Sequence, residues 1–565
     1  MKQDSKAWQV TSHLLDCNNK EDAESAGKEL SVESEFLSIY VYISDDGKYI
    51  FFPDKLSIDD VGLNLYFREL ADPDAEAVKI DSDVRGYAVN DAATLVTYVK
   101  GENLYQYNIA DDTKEKIASN ISSVEYITED FSTVYYTKDD SLYKQVIGTD
   151  KEKIANDVYD VIKIYDSGEI YYWTFESKEI YPLDFFDDDC QAEDASFVEP
   201  NYPDYPDSPS RPSRWDYDTS EEYNAAYAAY EDAYEAWQDE CDSLKAEYDA
   251  DCEVYDAKLS RDELRAELDG TTLEASSRSL CYYDGEKEIV VANDAYTGFD
   301  NYSYSYDYAE NAPAIVYTAY DLSNLKKARL SDIENYEDIE YIEYMIEEAL
   351  YSSAVNCIAA KDTSTVIEQA NDAFVFRVNP SGTAVYYIDD VQEEQNYGGL
   401  YRIPITNGNV GKTELYDSDV FVGYCRILND DDLLYFKDCK GDMYISKDRI
   451  DYDVQIYVLS PYSVNEKFVY FTDWDYGSKG HDGYGTLKVY DGKKSEKIAD
   501  DVHSAAITPD GRVLYLCDFS SNHYTGELRE WVNGETRKID DDVISLLPFI
   551  DSNDRGFIDR GFTYD

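Results

Sequence analysis

The sequence predicts an all-β fold, a single β-propeller of four-stranded blades carrying a long α-helical insertion and a shorter second one. Three observations carry that prediction. First, a short phrase recurs: KIASNI at 116–121, KIANDV at 153–158, KIADDV at 497–502 and KIDDDV at 538–543, with weaker copies KIDSDV (79–84), VVANDA (290–295), EQANDA (368–373), LYDSDV (415–420) and RIDYDV (449–454). Where no insertion intervenes, successive copies lie 34 to 48 residues apart, which is blade spacing, each blade being too small to bury its own faces. Second, turns such as Asp46-Gly47, Ser167-Gly168, Ser381-Gly382 and Asp510-Gly511 stand between copies and mark strand reversals. Third, each turn is followed by an apolar strand (Val385-Tyr386-Tyr387-Ile388, Leu434-Tyr435-Phe436, Leu514-Tyr515-Leu516) and then by a short Leu-Tyr strand (Leu65-Tyr66, Leu104-Tyr105, Leu142-Tyr143, Leu400-Tyr401). With the phrase itself as the outer strand, the count is four strands per unit.

In order, residues 1–37 are polar and suit a lead-in or stalk, and 38–185 hold the first blades. Residues 186–278 form an insertion. Its stretch NYPDYPDSPSRPSR at 201–214 reads as an extended spacer. A helix then starts at a capping box of Thr219 and Glu222, with Tyr223, Tyr227, Tyr230, Tyr234, Trp237, Cys241, Leu244, Tyr248, Cys252, Tyr255 and Leu259 on one seam. Ser260 and Glu263 suggest a separate short helix stopped by Gly270. Blades resume over 279–550, interrupted at 331–352 by a helix capped by Ser331 and Glu334, and 551–565 form a tail. Nine copies exceed the usual limit of eight blades. Eight are therefore expected, with seven or nine as alternatives, and the interrupted fourth and fifth units are the suspects. A last strand at 544–549 is expected to return to the first blade and close the ring.

Acidic residues outnumber basic ones 120 to 50, a net charge of -70, so nucleic acid and anionic membranes are repelled. The 57 tyrosines argue against disorder. The nine cysteines are scattered, without a C-x-x-C pair or histidines at zinc spacing, and predict neither a disulfide scaffold nor a zinc site. No stretch has the ~20 apolar residues of a membrane helix, and the start MKQDSKAWQVTSHLL lacks a signal-peptide core.

Chemistry has two candidate seats. The penultimate residues of the phrase are Asp83, Asn120, Asp157, Asp294, Asp372, Asp419, Asp453, Asp501 and Asp542. They either bond their own turns or ring a channel mouth and hold a cation such as calcium. The second seat is the helical seam Tyr223, Tyr227, Tyr230, Tyr234 and Trp237, which either packs on the molecule itself or pairs with a protein partner or a second copy. Asp551-Ser552-Asn553-Asp554-Arg555-Gly556 begins like a calcium loop but lacks the acid at its twelfth position. His503 follows Asp501-Val502 and reads as structural. Nucleophile-elbow, Walker, dinucleotide and H-E-x-x-H motifs are absent, and no cofactor or catalytic residue is expected.

Tyr470-Phe471-Thr472-Asp473 resembles the YWTD phrase of low-density-lipoprotein-receptor propellers, and Pro509-Asp510-Gly511 is similar to the turn of TolB-type repeats. The repeat together with its helical insertion resembles the propeller ectodomains of membrane-anchored proteins from gut clostridia. That resemblance implies an extracellular, surface-anchored propeller, a cytoplasmic one being the alternative. The expected function is non-catalytic recognition or scaffolding through a propeller face and a helical arm. A glycan- or peptidoglycan-binding module, reading sugars with exposed Tyr and Trp, is the first alternative. A carboxylate-based hydrolase is the second.

Overall fold

A computed structural model describes residues 42–544 and Leu546, apart from 45–47, 55–62, 71–75, 188–197, 299–305, 321–324, 330–338, 368–372, 374, 393–395, 438–440, 456–466, 477–482, 509–510 and 521–524. The described strands pair into successive antiparallel meanders that follow the repeat. Unit 2, for example, runs through the second half of Val78–Val89, then Leu95–Lys100, Asn103–Asn108 and Thr113–Ser119. Unit 3 is Ser123–Ile127, Thr133–Lys138, Ser141–Val146 and Glu152–Ala155. Units 1 and 2 share the long strand Val78–Val89, and units 8 and 9 share Ser495–Ile507. In unit 8 the first strand is represented by Val454, bridged to Thr472.

The interrupted units are complete. Unit 4 pairs Val158–Ile164, Ile170–Ile180, Leu273–Tyr283 and Glu288–Gly298. Unit 5 pairs Tyr306–Tyr308, Ala314–Tyr320, Ala354–Ala360 and Thr363–Val366. Among the described residues nine copies of this pairing unit are recognisable, and neither insertion costs a strand. Both leave from the same place, between second and third strands, where a hairpin loop can lengthen without disturbing register.

Alternation along the second strands explains how the units stack. In unit 4, Tyr171 and Trp173 point into a cluster shared with Ile315 and Tyr317 of unit 5. Ile170 and Tyr172 point the other way, against Tyr135 and Leu142 of unit 3. The same two-faced burial recurs at Tyr386 and Tyr387, Val469 and Tyr470, and Leu514 and Tyr515. Each second strand is therefore buried on both faces, which is why it reads as a continuous apolar run. Successive four-stranded sheets packed face to face make the molecule propeller-like. The described strands do not close a ring: the outer clusters at Ile50 and Phe52 and at Leu514, Leu516 and Leu528 are separate, and most of 544–549 lies outside the described residues.

The two insertions meet at their bases. Helix α1 spans Ser220–Asp269 and helix α2 spans Ile339–Tyr351. Ile342, Ile346 and Leu350, four residues apart on α2, pack with Ile180, Phe185, Phe186 and Leu268, as an amphipathic stripe must. Phe186–Asp187 adds a short parallel pairing with Ala328–Arg329. The separate helix expected from Ser260 does not form: α1 runs unbroken through it to Asp269, because neither Gly nor Pro interrupts the stretch. The Ser331 cap lies outside the described residues, and α2 ends at Tyr351, within the expected 331–352.

Candidate functional site

The most distinctive surface is the arm. α1 opens on the expected capping box: the Glu222 amide donates to Thr219 Oγ1 at 3.2 Å, and the Thr219 amide donates to Glu222 Oε2 at 3.1 Å. Its seam is a ladder of rings. Tyr223, Tyr227, Tyr230, Tyr234 and Trp237 follow each other at centroid distances of 5.9, 5.9, 5.7 and 5.3 Å, the i, i+3/i+4 neighbours of one helix face.

The seam is covered by the chain's own Pro-rich stretch. Pro200, Pro203, Pro206, Pro209 and Pro212 recur every third residue, the repeat of a polyproline II helix, so all five fall on one face. They are half-buried while the Asp, Ser and Arg residues between them are exposed. The segment runs back antiparallel along α1. Tyr202 stacks edge-on to Tyr248 at 5.4 Å, Trp237 Nε1 donates to the Pro206 carbonyl at 2.7 Å, and the Arg211 and Arg214 guanidinium groups lie 5.4 and 5.7 Å from the Tyr227 and Tyr223 rings. The rises agree: five residues from Pro206 to Arg211 cover about 15 Å at 3.1 Å each, and ten from Trp237 to Tyr227 cover about 15 Å at 1.5 Å each. The period-three prolines were the sequence signal for this pairing, and reading the stretch as a spacer missed it.

Between Ser220 and Val254 every position off the seam is exposed except Ala226. α1 therefore offers no face to the sheets over that length and stands off the body, rooted through Leu268. At ~1.5 Å per residue its fifty residues reach about 75 Å. At the far end, where the Pro-rich strand turns into the helix, Trp215 is 94 % exposed. Arg214 holds this turn by donating to the Tyr217 carbonyl at 2.9 Å. The sequence reading did not single out Trp215.

The turn aspartates follow the backbone. Asp83, Asn120, Asp157, Asp419, Asp453, Asp501 and Asp542 all have φ between 52 and 59°. Each is exposed; Asp83, Asp419, Asp501 and Asp542 lie at a register shift of the fourth strand, and Asn120, Asp157 and Asp453 lie just past that strand's last residue. Asp and Asn are the non-glycine residues that best tolerate this left-handed bulge conformation. Asp372 and the side chain of Asp294 lie outside the described residues. Among the described residues no three of these carboxylates converge on a common point; the one group of three potential metal ligands is Cys517, Asp518 and Glu527. There Glu527 is already held by Arg529 and Lys538. His503 stacks on Phe519 at 4.0 Å, with Nδ1 2.9 Å from the Gly483 carbonyl.

A residue two places before the bulge does more. Asp81 accepts from Tyr98 at 2.8 Å, Lys100 at 2.7 Å and Lys114 at 3.1 Å, all in the next unit. Asp417 accepts from Tyr435 at 2.5 Å and Lys437 at 2.7 Å, and Asp451 from Tyr470 at 2.8 Å and Lys488 at 2.7 Å. Burial raises the Asp81 and Asp417 carboxyls, but these hydrogen bonds outweigh it and hold both below the usual range. Where the phrase has Ala instead (Ala118, Ala155, Ala499) this latch is absent. The signal was in the sequence, as Asp at phrase position three with Tyr-x-Lys at 98–100 and 435–437.

The first strands lie side by side. Tyr306 donates to Asp160 at 3.4 Å, the Val378 amide to Asp307 at 2.7 Å, and Arg377 Nε to the Cys425 carbonyl at 3.2 Å, lacing units 4 to 7. On this wall burial pushes the Glu125 carboxyl up, with Asp160 adding to it, while hydrogen bonds from Ser123 and Thr137 oppose. Burial also raises Asp307 against the Val378 amide. Beside them Tyr159 and Phe175 stack at 5.7 Å, and the Arg278 guanidinium sits 4.0 Å from the Tyr159 ring.

No protein-family model and no curated protein matches the chain, so none places it among YWTD or TolB repeats. Solved structures similar to it include a eukaryotic initiation factor (TM-score 0.36, 7 % identity, 88 % of this chain and 87 % of that one). Another is the β-propeller domain of the Trilobed protease from Pyrococcus furiosus, titled as having an open velcro topology (0.26, 9 %, 82 % and 98 %). A third is Porphyromonas gingivalis dipeptidyl peptidase 4 (0.35, 8 %, 89 % and 59 %). With TM-scores this low, the propeller-like assignment rests on the strand pairings.

Proposed function

We propose that the chain is a non-catalytic recognition scaffold, a nine-bladed propeller that holds a rigid arm away from its body at a cell surface. The observation that carries this reading is the arm's construction. Its aromatic seam is satisfied by its own Pro-rich strand, and what remains outward is acidic, with seventeen Asp and Glu against four Lys and Arg in α1. A bare tryptophan sits at the tip. Self-association through the seam would have to displace the Pro-rich strand. Two copies of a chain with net charge -70 also repel. The favoured partner is a protein with an apolar pocket rimmed by Lys or Arg, Trp215 being the type of residue that anchors such contacts.

A photo-crosslinking residue at position 215 in cells producing the full-length protein tests this. One discrete adduct is expected, absent when the crosslinking residue is placed instead at an exposed sheet position such as Val366. Adducts only from positions on the sheets would contradict it.

A further inference from the structure

Type I′ hairpins demand positive φ at both central residues, so they favour Asn-Gly. Two hairpins after third strands obey: Asn407-Gly408 (φ 50 and 79°) and Asn533-Gly534 (49 and 91°). The corresponding turn of unit 7 has the same backbone but is Ser446-Lys447, with φ 45 and 77°. A lysine is strained there. Ser446 is accounted for by its hydroxyl, which accepts from the Leu433 amide and lies in hydrogen-bond reach of the Asp431 carbonyl and Asp432 Oδ1. Among the described residues the lysine forms no side-chain hydrogen bond there, and a local rule broken at that position points to a role for its ammonium.

Lys447 borders a cleft of about 360 Å³ between units 6 and 7, with Arg402, Glu414, Asp431, Tyr386 and Tyr416. Its ammonium lies 4.5 Å from the Tyr416 ring centroid, and Tyr386 stands edge-on to Tyr416 at 5.6 Å. Asp430, also in the wall, is occupied by the Ser381 amide at 2.7 Å. The other four charges are not: among the described residues Arg402, Lys447, Glu414 and Asp431 make no ion pair within 4.0 Å and no side-chain hydrogen bond, with each other or elsewhere. The cleft thus presents two unpaired cations and two unpaired carboxylates. A ligand of net negative charge would meet the carboxylates and the field of a -70 chain. A net cation would leave the guanidinium unused.

We propose that this cleft binds a small zwitterion of the α-amino acid or dipeptide class. Arg402 and Lys447 take its carboxylate, the guanidinium in bidentate fashion. Glu414 and Asp431 take its ammonium, and Tyr416 with Leu415 meets its side chain. The site is independent of the arm.

Saturation-transfer NMR with glycyl-phenylalanine as probe tests it on the full chain, beside the N-acetylated and C-amidated dipeptides, each lacking one charge. The free dipeptide is expected to show transfer at millimolar concentration, and both blocked forms to lose at least tenfold in affinity, about one and a half kcal/mol. Lys447→Gly separates binding from folding. It should raise the melting temperature, because glycine is unstrained at that turn, and should weaken the dipeptide at least tenfold. No transfer from the free dipeptide, equal binding of the blocked forms, or wild-type affinity in the stabilised Lys447→Gly protein would each overturn the proposal.

Discussion

An aspartate does two different jobs within six residues of the repeated phrase. At the penultimate position it is chosen by the backbone, whose φ of 52 to 59° admits Asp or Asn and whose side chain faces water. Two places earlier it is chosen by a partner, the Tyr hydroxyl and Lys ammonium of the next sheet. The latch carboxyls are held below their ordinary values, so the stability they supply is present above about pH 4 and is lost as pH falls through their folded values. Asp417→Asn should therefore cost about 1–3 kcal/mol near neutrality and less as the pH approaches the folded value, measured by denaturant melts across the acid range. Glu125 has the opposite sign. Its carboxyl is raised by burial, so its contribution is greatest below the ordinary carboxylate range and declines as pH rises through the folded value. Glu125→Gln should raise the melting temperature at pH 7 and leave it unchanged at pH 4. The turn chemistry was legible from residue type alone. The latch was not, because it joins residues 17 to 37 apart and shows only when two positions of different units are read together.

At the scale of elements, the second strands were readable because burial on both faces leaves an uninterrupted apolar run, and α1 was readable from its capping box and seam. What covers the seam was harder to see. A Pro-rich stretch has no hydrogen-bonding pattern of its own, and only its period of three, matched in rise to the heptads of α1, shows that it is a partner strand. The arm is a cooperative pair, so cutting it at one rung should loosen both members. Replacing Tyr230, Tyr234 and Trp237 with Ser should expose 200–217 to limited proteolysis and lower the helical signal at 222 nm, while the cooperative melt of the sheets keeps its midpoint. A drop in that midpoint would mean the seam packs on the sheets after all. Ser260 shows the limit of capping signals: an N-cap residue inside a stretch without Gly or Pro stays helical.

At the scale of the whole molecule, the stack of sheets follows from blades that share clusters with their chain neighbours, while a helix bare on every face but one is free to project. The proposed arm is a self-sealed strut on a monomeric body. Small-angle scattering with in-line mass determination tests it most directly, on the intact chain and on a version with 200–249 replaced by a short Gly/Ser linker; Tyr202 already touches Tyr248 at that junction. Two monomers are expected, with the intact chain longer in its maximum dimension by several tens of Å, the reach of the removed helix at ~1.5 Å per residue. An intact dimer that the replacement converts to a monomer, or equal maximum dimensions for the two proteins, would contradict it.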